Sequence, residues 1–521
     1  MAVFPDKKHS TDLETKKDDG SFFEETSLHG LKYLRKHGRT RVIWINVVAI
    51  CVIVLVIFAD STLTEFWTSP MRIQVNSTNS PLNLEDFPVV TFCPNNVLSR
   101  EKAKKANKTD ADIRTVLDYK QYAQSCSHFM RTCTFYGIDC QSFITQVITD
   151  MGWCCQLDVM EVMNANADAE SGGIVGLMGL DVIFDIESYN YMMPNCYFEG
   201  IVFRAIPRGS YPNMLSKFTA ISPGATAYVN MKLVKIFTTD DAREKSIKIR
   251  NCVFQDEITL DNFDVYTQDN CYTDQIINQF KEKCGCIGIY RGFGNSSNYK
   301  ECTLTGSLAW RSETEYLECL ENGYNTSDVI SAAGCPSQCL APCQEDQISL
   351  EISTGATPGF QALCGREPTP DDKLSCLLNF FGRPINDKLC ETLDMFADDE
   401  YELYSRARLC DKTFQEVHRQ CNTTVPHLKP CLQALNLSVS DRRHVEEVIY
   451  DYTRANIISA RLIFSEKYFS SIERDVSYTL QSLICNIGGL LGLCLGCSFI
   501  SLIEIVFFCI KLLPCKLPIC N

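Results

Sequence analysis

Ser482 to Glu504 reads Ser-Leu-Ile-Cys-Asn-Ile-Gly-Gly-Leu-Leu-Gly-Leu-Cys-Leu-Gly-Cys-Ser-Phe-Ile-Ser-Leu-Ile-Glu, a run apolar enough for a lipid core that nevertheless carries glycines, an amide, hydroxyls and a carboxylate. Carbonyl and hydroxyl oxygens ringed about a symmetry axis can replace part of a small cation's hydration shell, which is the chemistry of a selectivity filter. Gly496-Cys497-Ser498 offers such oxygens. An ionisable group inside a span is costly unless it faces water or a partner, so Glu504 is expected to line a wet pathway with Asn486, Gly489 and Gly492. The same residues allow a second reading. Gly488, Gly492 and Gly496 recur at every fourth position, the small-xxx-small spacing that lets helices pack closely with no conduction implied.

A helix must present these groups. From Leu483 to Ile510 there are 28 residues, and an unbroken helix of that length would run roughly 42 Å against an apolar core of about 30 Å. The segment is therefore expected to tilt, protrude or break. Freed backbone at membrane depth is tolerated only against protein or water, and Gly496-Cys497-Ser498 is the expected break.

A second apolar run, Val42 to Ala59, is interrupted only by Asn46 and follows Arg35, Lys36, Arg39 and Arg41. The positive-inside rule puts the N-terminus in the cytosol. With 41 residues before it, the run is expected to be an anchor rather than a cleaved signal peptide. Two spans return the C-terminus, with Lys511 and Lys516, to the cytosol and leave about 420 residues outside.

That exterior carries its own signs. Glycosylation triplets at Asn76, Asn107, Asn295, Asn325, Asn422 and Asn436 all fall between the spans, as do 22 of the 29 cysteines. An even count there predicts disulfides rather than metal ligands, including for Cys284-x-Cys286 and Cys335-xxx-Cys339-xxx-Cys343. Spacing leaves the pairing open. The formal charge is −15 overall and −18 between the spans, where it would either gather cations near a pore mouth or simply solubilise a glycoprotein surface. Neither nucleic acid nor a cofactor is called for. No Gly-x-Ser-x-Gly, His-Glu-x-x-His or phosphate-binding glycine loop is present, so enzyme chemistry lacks its parts.

These blocks resemble the degenerin and epithelial sodium channel family, which includes acid-sensing and peptide-gated channels. Leu28-His29-Gly30 is similar to the family's His-Gly motif before the first span, and Phe87-Pro-Val-Val-Thr-Phe-Cys93 to the segment opening its palm. Cys271, Cys284, Cys286, Cys302, Cys319, Cys335, Cys339 and Cys343 resemble its cysteine-rich thumb, and Asn486 to Ser498 with Leu502-Ile-Glu504 its second span. Together with Cys93 and Cys196, the thumb cysteines are disulfide candidates. The resemblance implies a trimer, two transmembrane helices per subunit flanking a large disulfide-rich α+β ectodomain, with a central β palm and a helical finger and thumb. By position it implies Gly496, Cys497 and Ser498 as selectivity filter, Gly492 as an amiloride position, and His29, Gly30 and Cys485 in gating.

The expected organisation is a cytosolic N-terminus over 1–41, a first span over 42–59, an extracellular cysteine-rich domain over 60–481, a second span and pore over 482–511, and a cytosolic tail over 512–521. Strands are predicted at Val89 to Cys93, Ile201 to Ile206, Ala227 to Lys232, Ser246 to Ile249, Asp346 to Ile352 and Asn456 to Phe464. Helical patches are predicted at Lys102 to Lys105, Ala111 to Cys126, Cys140 to Leu157 and Tyr272 to Lys283, with another helix capped at Ser440 and reaching Tyr452. An insert from about Thr354 to Leu437, with six cysteines, predicts a stapled subdomain with little core of its own.

Two departures bear on gating. Where acid-sensing relatives carry a tryptophan facing the first span, this chain reads Lys248-Ile-Arg-Asn-Cys252, and their paired histidines have no counterpart near Phe66 to Val75. A third departure is Asn486, where many relatives carry aspartate. The expectation is an amiloride-sensitive, sodium-preferring plasma-membrane channel in a homo- or heterotrimer, gated by an extracellular peptide or other ligand, protons or force. An ATP-gated two-span channel and a membrane-anchored receptor or adhesion glycoprotein are the alternatives.

Overall fold

The computed structural model describes residues 26–34, 37–68, 71–109, 112–113, 116–166, 179–192, 198–214, 217–287, 300–301, 304–305, 315–316, 339–357, 370–380, 410–421, 425–477 and 479–512. Two compact units emerge, one from Met1–Gln74, Thr238–Arg250 and Arg474–Asn521, the other from Val75–Phe237 and Asn251–Glu473.

The first unit holds the apolar helices. Helix α1, Arg39–Thr68, runs three residues ahead of the expected span and nine beyond it. Its Ile53, Val56 and Ile57 stand more than half exposed, as side chains facing lipid would. Its Arg39–Trp67 stretch of 29 residues is long and apolar enough to cross a membrane.

The strands between the apolar segments form two larger sheets. Strands β1 (Met71–Pro81), β2 (Val89–Pro94), β3 (Met130–Phe135), β4 (Ile138–Asp139), β5 (Thr145–Thr149), β6 (Gly152–Leu157), β7 (Gly179–Asp185), β8 (Ile201–Ile206), β9 (Thr219–Ile221), β10 (Ala225–Thr238), β11 (Glu345–Ala356), β12 (Ile457–Phe464) and β13 (Tyr468–Val476) form them. The larger sheet runs β1-β13-β10-β12-β7-β3-β4 with β11 also paired to β10, and the smaller runs β5-β6-β2-β8-β9. Along β10 the period-two pattern buries Ala227, Val229, Met231 and Leu233 while Tyr228 is half exposed. Those residues join Val90, Phe92, Phe129, Phe184, Phe203 and Leu462 in one core. Phe92 and Phe184 meet at 4.9 Å between ring centres, tilted as aromatic pairs prefer.

The helical reading of Cys140 to Leu157 is overturned. The segment is a hairpin, Thr145 opposite Gln156 through Thr149 opposite Gly152, turning at Asp150-Met151 and ending on Gly152 with φ 98°. β-Branched Thr145, Val147, Ile148 and Thr149 favour the strand, and two adjacent cysteines settle it. On alternate faces of β6, Cys154 bonds Cys93 and Cys155 bonds Cys126. Further bridges are Cys133–Cys140, Cys252–Cys343, Cys271–Cys339 and Cys421–Cys431. Cys252–Cys343 spans 91 residues, a closure that stabilises by about 4–5 kcal/mol in the chain-entropy account. Cys93, Cys271, Cys339 and Cys343 are thus paired, and Cys286 is disulfide-bonded. Cys196, Cys302, Cys319 and Cys335, and the side chain of Cys284, lie outside the described residues. So do Asn295, Asn325 and Asn422, whereas Asn76, Asn107 and Asn436 are exposed.

The thumb helix α2 spans Gln268–Cys284, capped by the Thr267 hydroxyl, which accepts the Asn270 N–H. Three helices of the insert, α3 (Pro370–Phe380), α4 (Lys412–Gln420) and α5 (Val425–Leu435), pack with α6 (Val439–Asn456). Leu374, Leu377, Phe414, Val417 and Leu432 form one buried cluster with Val445, Val448, Ile449 and Tyr452. The insert therefore shares its core with α6. That helix is capped by Ser438, not Ser440, because the Ser438 hydroxyl accepts the Asp441 N–H. Ser246 to Ile249 is likewise corrected from strand to a helical turn, Ile247–Arg250. The buried Arg250 guanidinium donates to the carbonyls of Arg243 and Lys245 at 2.8 Å, which curls the segment.

Candidate ion pathway

Helix α7 (Leu480–Leu495) and helix α8 (Phe499–Leu512) make up the second apolar segment, bent by 74° at the link between them. The break falls at Gly496-Cys497-Ser498, as the sequence predicts. Gly496 closes α7 in the left-handed conformation, φ 64°, a conformation open to glycine at little cost. Its N–H donates to the Gly492 carbonyl at 2.9 Å, and that of Cys497 to Leu491 at 3.3 Å. Ser498 then starts α8. Its hydroxyl accepts the Ser501 N–H at 3.2 Å while the Ser501 hydroxyl accepts the Ser498 N–H at 3.1 Å, a reciprocal cap.

The N-terminal segment lies on this break. His29 N–H donates to the Leu495 carbonyl at 3.0 Å, and the imidazole covers Gly496 so closely that an added Cβ would collide with it. Gly30 turns at φ 86°, where a Cβ would meet Val48 at 3.0 Å, and Tyr33 stacks on Trp44 at 4.4 Å. Ser27 reaches Glu504 by its N–H at 3.2 Å and its hydroxyl at 2.9 Å. The structure thus joins His29, Gly30, Gly496, Ser498 and Glu504, and adds Ser27 and Ser501. The Ser-x-x-Ser spacing from 498 was a readable sign of the cap; nothing in the sequence marked Ser27.

Cys485, Asn486, Gly488 and Gly489 are exposed, and a Cβ at Gly488 or Gly489 would meet nothing within 4 Å. Cys485, Gly489, Gly492 and Gly496 lie four, seven and eleven positions along and so share one helix face. Among the described residues, Cys51, Cys485, Cys494 and Cys497 are free thiols.

Where a tryptophan is missing, other contacts tie the same loop. Lys245 Nζ sits 5.6 Å from the ring centre of Phe66 at the end of α1. Asp475 accepts from the Thr239 hydroxyl at 2.7 Å and from Arg72 at 3.1 Å. Burial alone would push its carboxyl up, but the bonds from Thr239, the Val476 N–H and Arg72 outweigh it and hold the pKa below the ordinary aspartate value. A depressed pKa means that the tie is present above the unfolded pKa and is lost only as pH falls through the lower folded one. Asp475→Ala is expected to lower Tm of the purified channel by about 2 °C. The deficit should be equal throughout the range from neutral to mildly acidic pH; a deficit that vanishes on mild acidification would show that Asp475 titrates there.

In the second unit, a cavity of about 1220 Å³ is lined by Phe203, Lys235, Ile236, Asp346, Ile348 and Phe469 among others. Lys235 pairs with Asp86, and Arg204 with Asp269 at 2.6 Å. Burial raises the pKa of Asp346, opposed by Lys235 and reinforced by Asp86.

A sequence profile described as amiloride-sensitive sodium channel matches residues 22–124 and 106–508, taking in both apolar segments and the domain between them. The chain belongs to that family. Among relatives of this sodium channel family member, sodium channel protein Nach of Drosophila ananassae is 22% identical over 382 residues, 64% of this chain and 71% of that protein. Pickpocket protein 28 of Drosophila melanogaster is 20% identical over 333 residues, 52% and 55% of the two chains. The bile acid-sensitive ion channel of Homo sapiens is 23% identical over 400 residues, 67% and 72%. Membership makes this an ion-channel chain rather than an enzyme, in a family of plasma-membrane proteins that pass sodium across the bilayer and carry two spans around a disulfide-rich ectodomain.

Proposed function

We propose that this sodium channel family member assembles as a homo- or heterotrimer with both termini in the cytosol and conducts through a sodium-preferring pore blocked by amiloride. The observation that carries the reading is the break at Gly496–Ser498, which ends α7 directly below the open glycine face of that helix. Three copies converging on that face would ring the pathway with Asn486, Gly489 and Gly492 and bring the Gly496-Cys497-Ser498 backbone to its narrowest point. Amiloride would lodge at Gly492, where the absence of a side chain leaves room. The stimulus is an extracellular ligand, peptide, proton or force that binds or strains the closed and open packings unequally. The ectodomain cavity, where Phe203, Ile236, Ile348 and Phe469 stand beside Lys235 and Asp346, suits a peptide or other small amphipathic ligand.

Cross-linking or native mass measurement of the purified protein should give three copies of the 58.9 kDa chain plus glycans; a strict monomer would remove the basis for an axial pore. At Asn486, an amide ring replaces three carboxylates. Asn486→Asp should therefore sharpen block by external calcium by about tenfold, because each restored charge adds attraction for a divalent ion in a narrow pore. An unchanged calcium block in that variant would place Asn486 away from the ion path.

A further inference from the structure

Among the described residues, the Glu504 carboxyl is the one acidic group at the break, and the sequence assigns it to the pore wall. Its contacts point elsewhere. Oε2 accepts both the Ser27 N–H and the Ser27 hydroxyl, at 3.2 and 2.9 Å. Both Ser27 groups donate to that oxygen, and a hydroxyl has one proton to give, so the direction of the neighbouring bond follows. Ser27 Oγ donates to Glu504 and must accept from Ser501, whose Oγ lies 2.6 Å away. Ser501 in turn accepts the Ser498 N–H at 3.1 Å. One chain of donors thus leads from the filter residue Ser498 through Ser501 and Ser27 to the Glu504 carboxyl oxygen. Ser501 is 1% exposed, so water competes little with its bonds. Bonds in a chain of this kind polarise each other.

We infer that Glu504 is a positioning residue, a latch that holds Ser27 and thereby seats His29 on Leu495 and Gly496, rather than a charge that ions pass. Two residues along from Ser27, His29 N–H caps the last carbonyl of α7. Release of Ser27 would free that cap and uncover Gly496 together. The inference rests on the channel reading proposed above.

The two roles separate experimentally. The tests run on the full chain carrying Cys485→Phe, which supplies current without a stimulus. A latch needs an acceptor, not a charge. E504A and S27A should each lower the sodium-to-potassium permeability ratio several-fold, the double variant should fall no further, and E504Q, whose amide oxygen still accepts, should restore the ratio lost in E504A. Equal losses in E504Q and E504A with S27A silent would overturn the latch and return Glu504 to the pore wall. A second readout needs no current. With Thr26→Cys as reporter in permeabilised cells, attachment of a polyethylene-glycol maleimide should be about tenfold faster in E504A than with Glu504 or E504Q, the factor that corresponds to about 1.4 kcal/mol. Equal labelling rates in all three would overturn the inference whether or not the channels conduct. If the Cys485→Phe parent reaches the surface without current even when co-expressed with a related subunit, the pore reading is what has failed, and the labelling rates alone decide the latch.

Discussion

Cys485→Phe is expected to turn a channel that is silent at rest into one that carries sodium current continuously, blockable by amiloride. Cys485 is exposed on α7 with the bare Gly488 and Gly489 one turn below it. In the proposed trimer, closing would bring that face against its symmetry copies and leave no room there for a benzyl group. Overpacking costs about 1–3 kcal/mol per site, and a trimer incurs it three times over. Moving a two-state equilibrium from 1:99 to 99:1 takes about 5.5 kcal/mol, within the reach of three such sites. The check is voltage clamp of oocytes with sodium or potassium outside, with and without amiloride. Surface-expressed but silent mutant channels would mean that the face does not close on itself in the homotrimer, and co-expression with a related subunit would then tell a missing partner from a wrong pore.

Gly496→Ala should act in the opposite sense and remove most selective current. At φ 64° an alanine bears the left-handed penalty of roughly 1–2 kcal/mol, and its Cβ would collide with the His29 ring. Both costs fall on the link that sets the 74° bend. Together they predict a loss of about tenfold or more in current from the Cys485→Phe parent, with a reversal potential drifting towards that of an unselective pore. Adding His29→Ala should recover part of the loss, because it removes the collision but not the backbone strain. A Gly496→Ala channel with parental selectivity would show that the working pore does not use this break.

These two substitutions sit where the chain was most readable. Glycine at 496 and serine at 498 are local instructions, one stopping a helix and the other starting the next, so the break could be placed from neighbouring residues alone. The apolar stretches, the cysteine-rich exterior and the family blocks were legible for the same reason, since each is written within a short segment. Short periodic patches were less dependable. Cys140 to Leu157 satisfied a helical spacing yet folds as a hairpin, because Cys154 and Cys155 are drawn to partners 61 and 29 residues away. The insert looked poor in core because its core is completed by Val445, Val448, Ile449 and Tyr452 of the helix that follows it.

The sequence by itself therefore determined two spans around a disulfide-rich exterior, a break at Gly496–Ser498 and the oxygen-bearing residues at that break. Only the tertiary structure decided what lies against them. Ser27 meets Glu504 across 477 positions, and Lys245 meets Phe66 across 179. Helix stops, caps and apolar runs are encoded by groups within a turn of each other. A contact between distant segments depends on how the whole chain closes, and no local pattern records which carboxylate a serine near the other end will find.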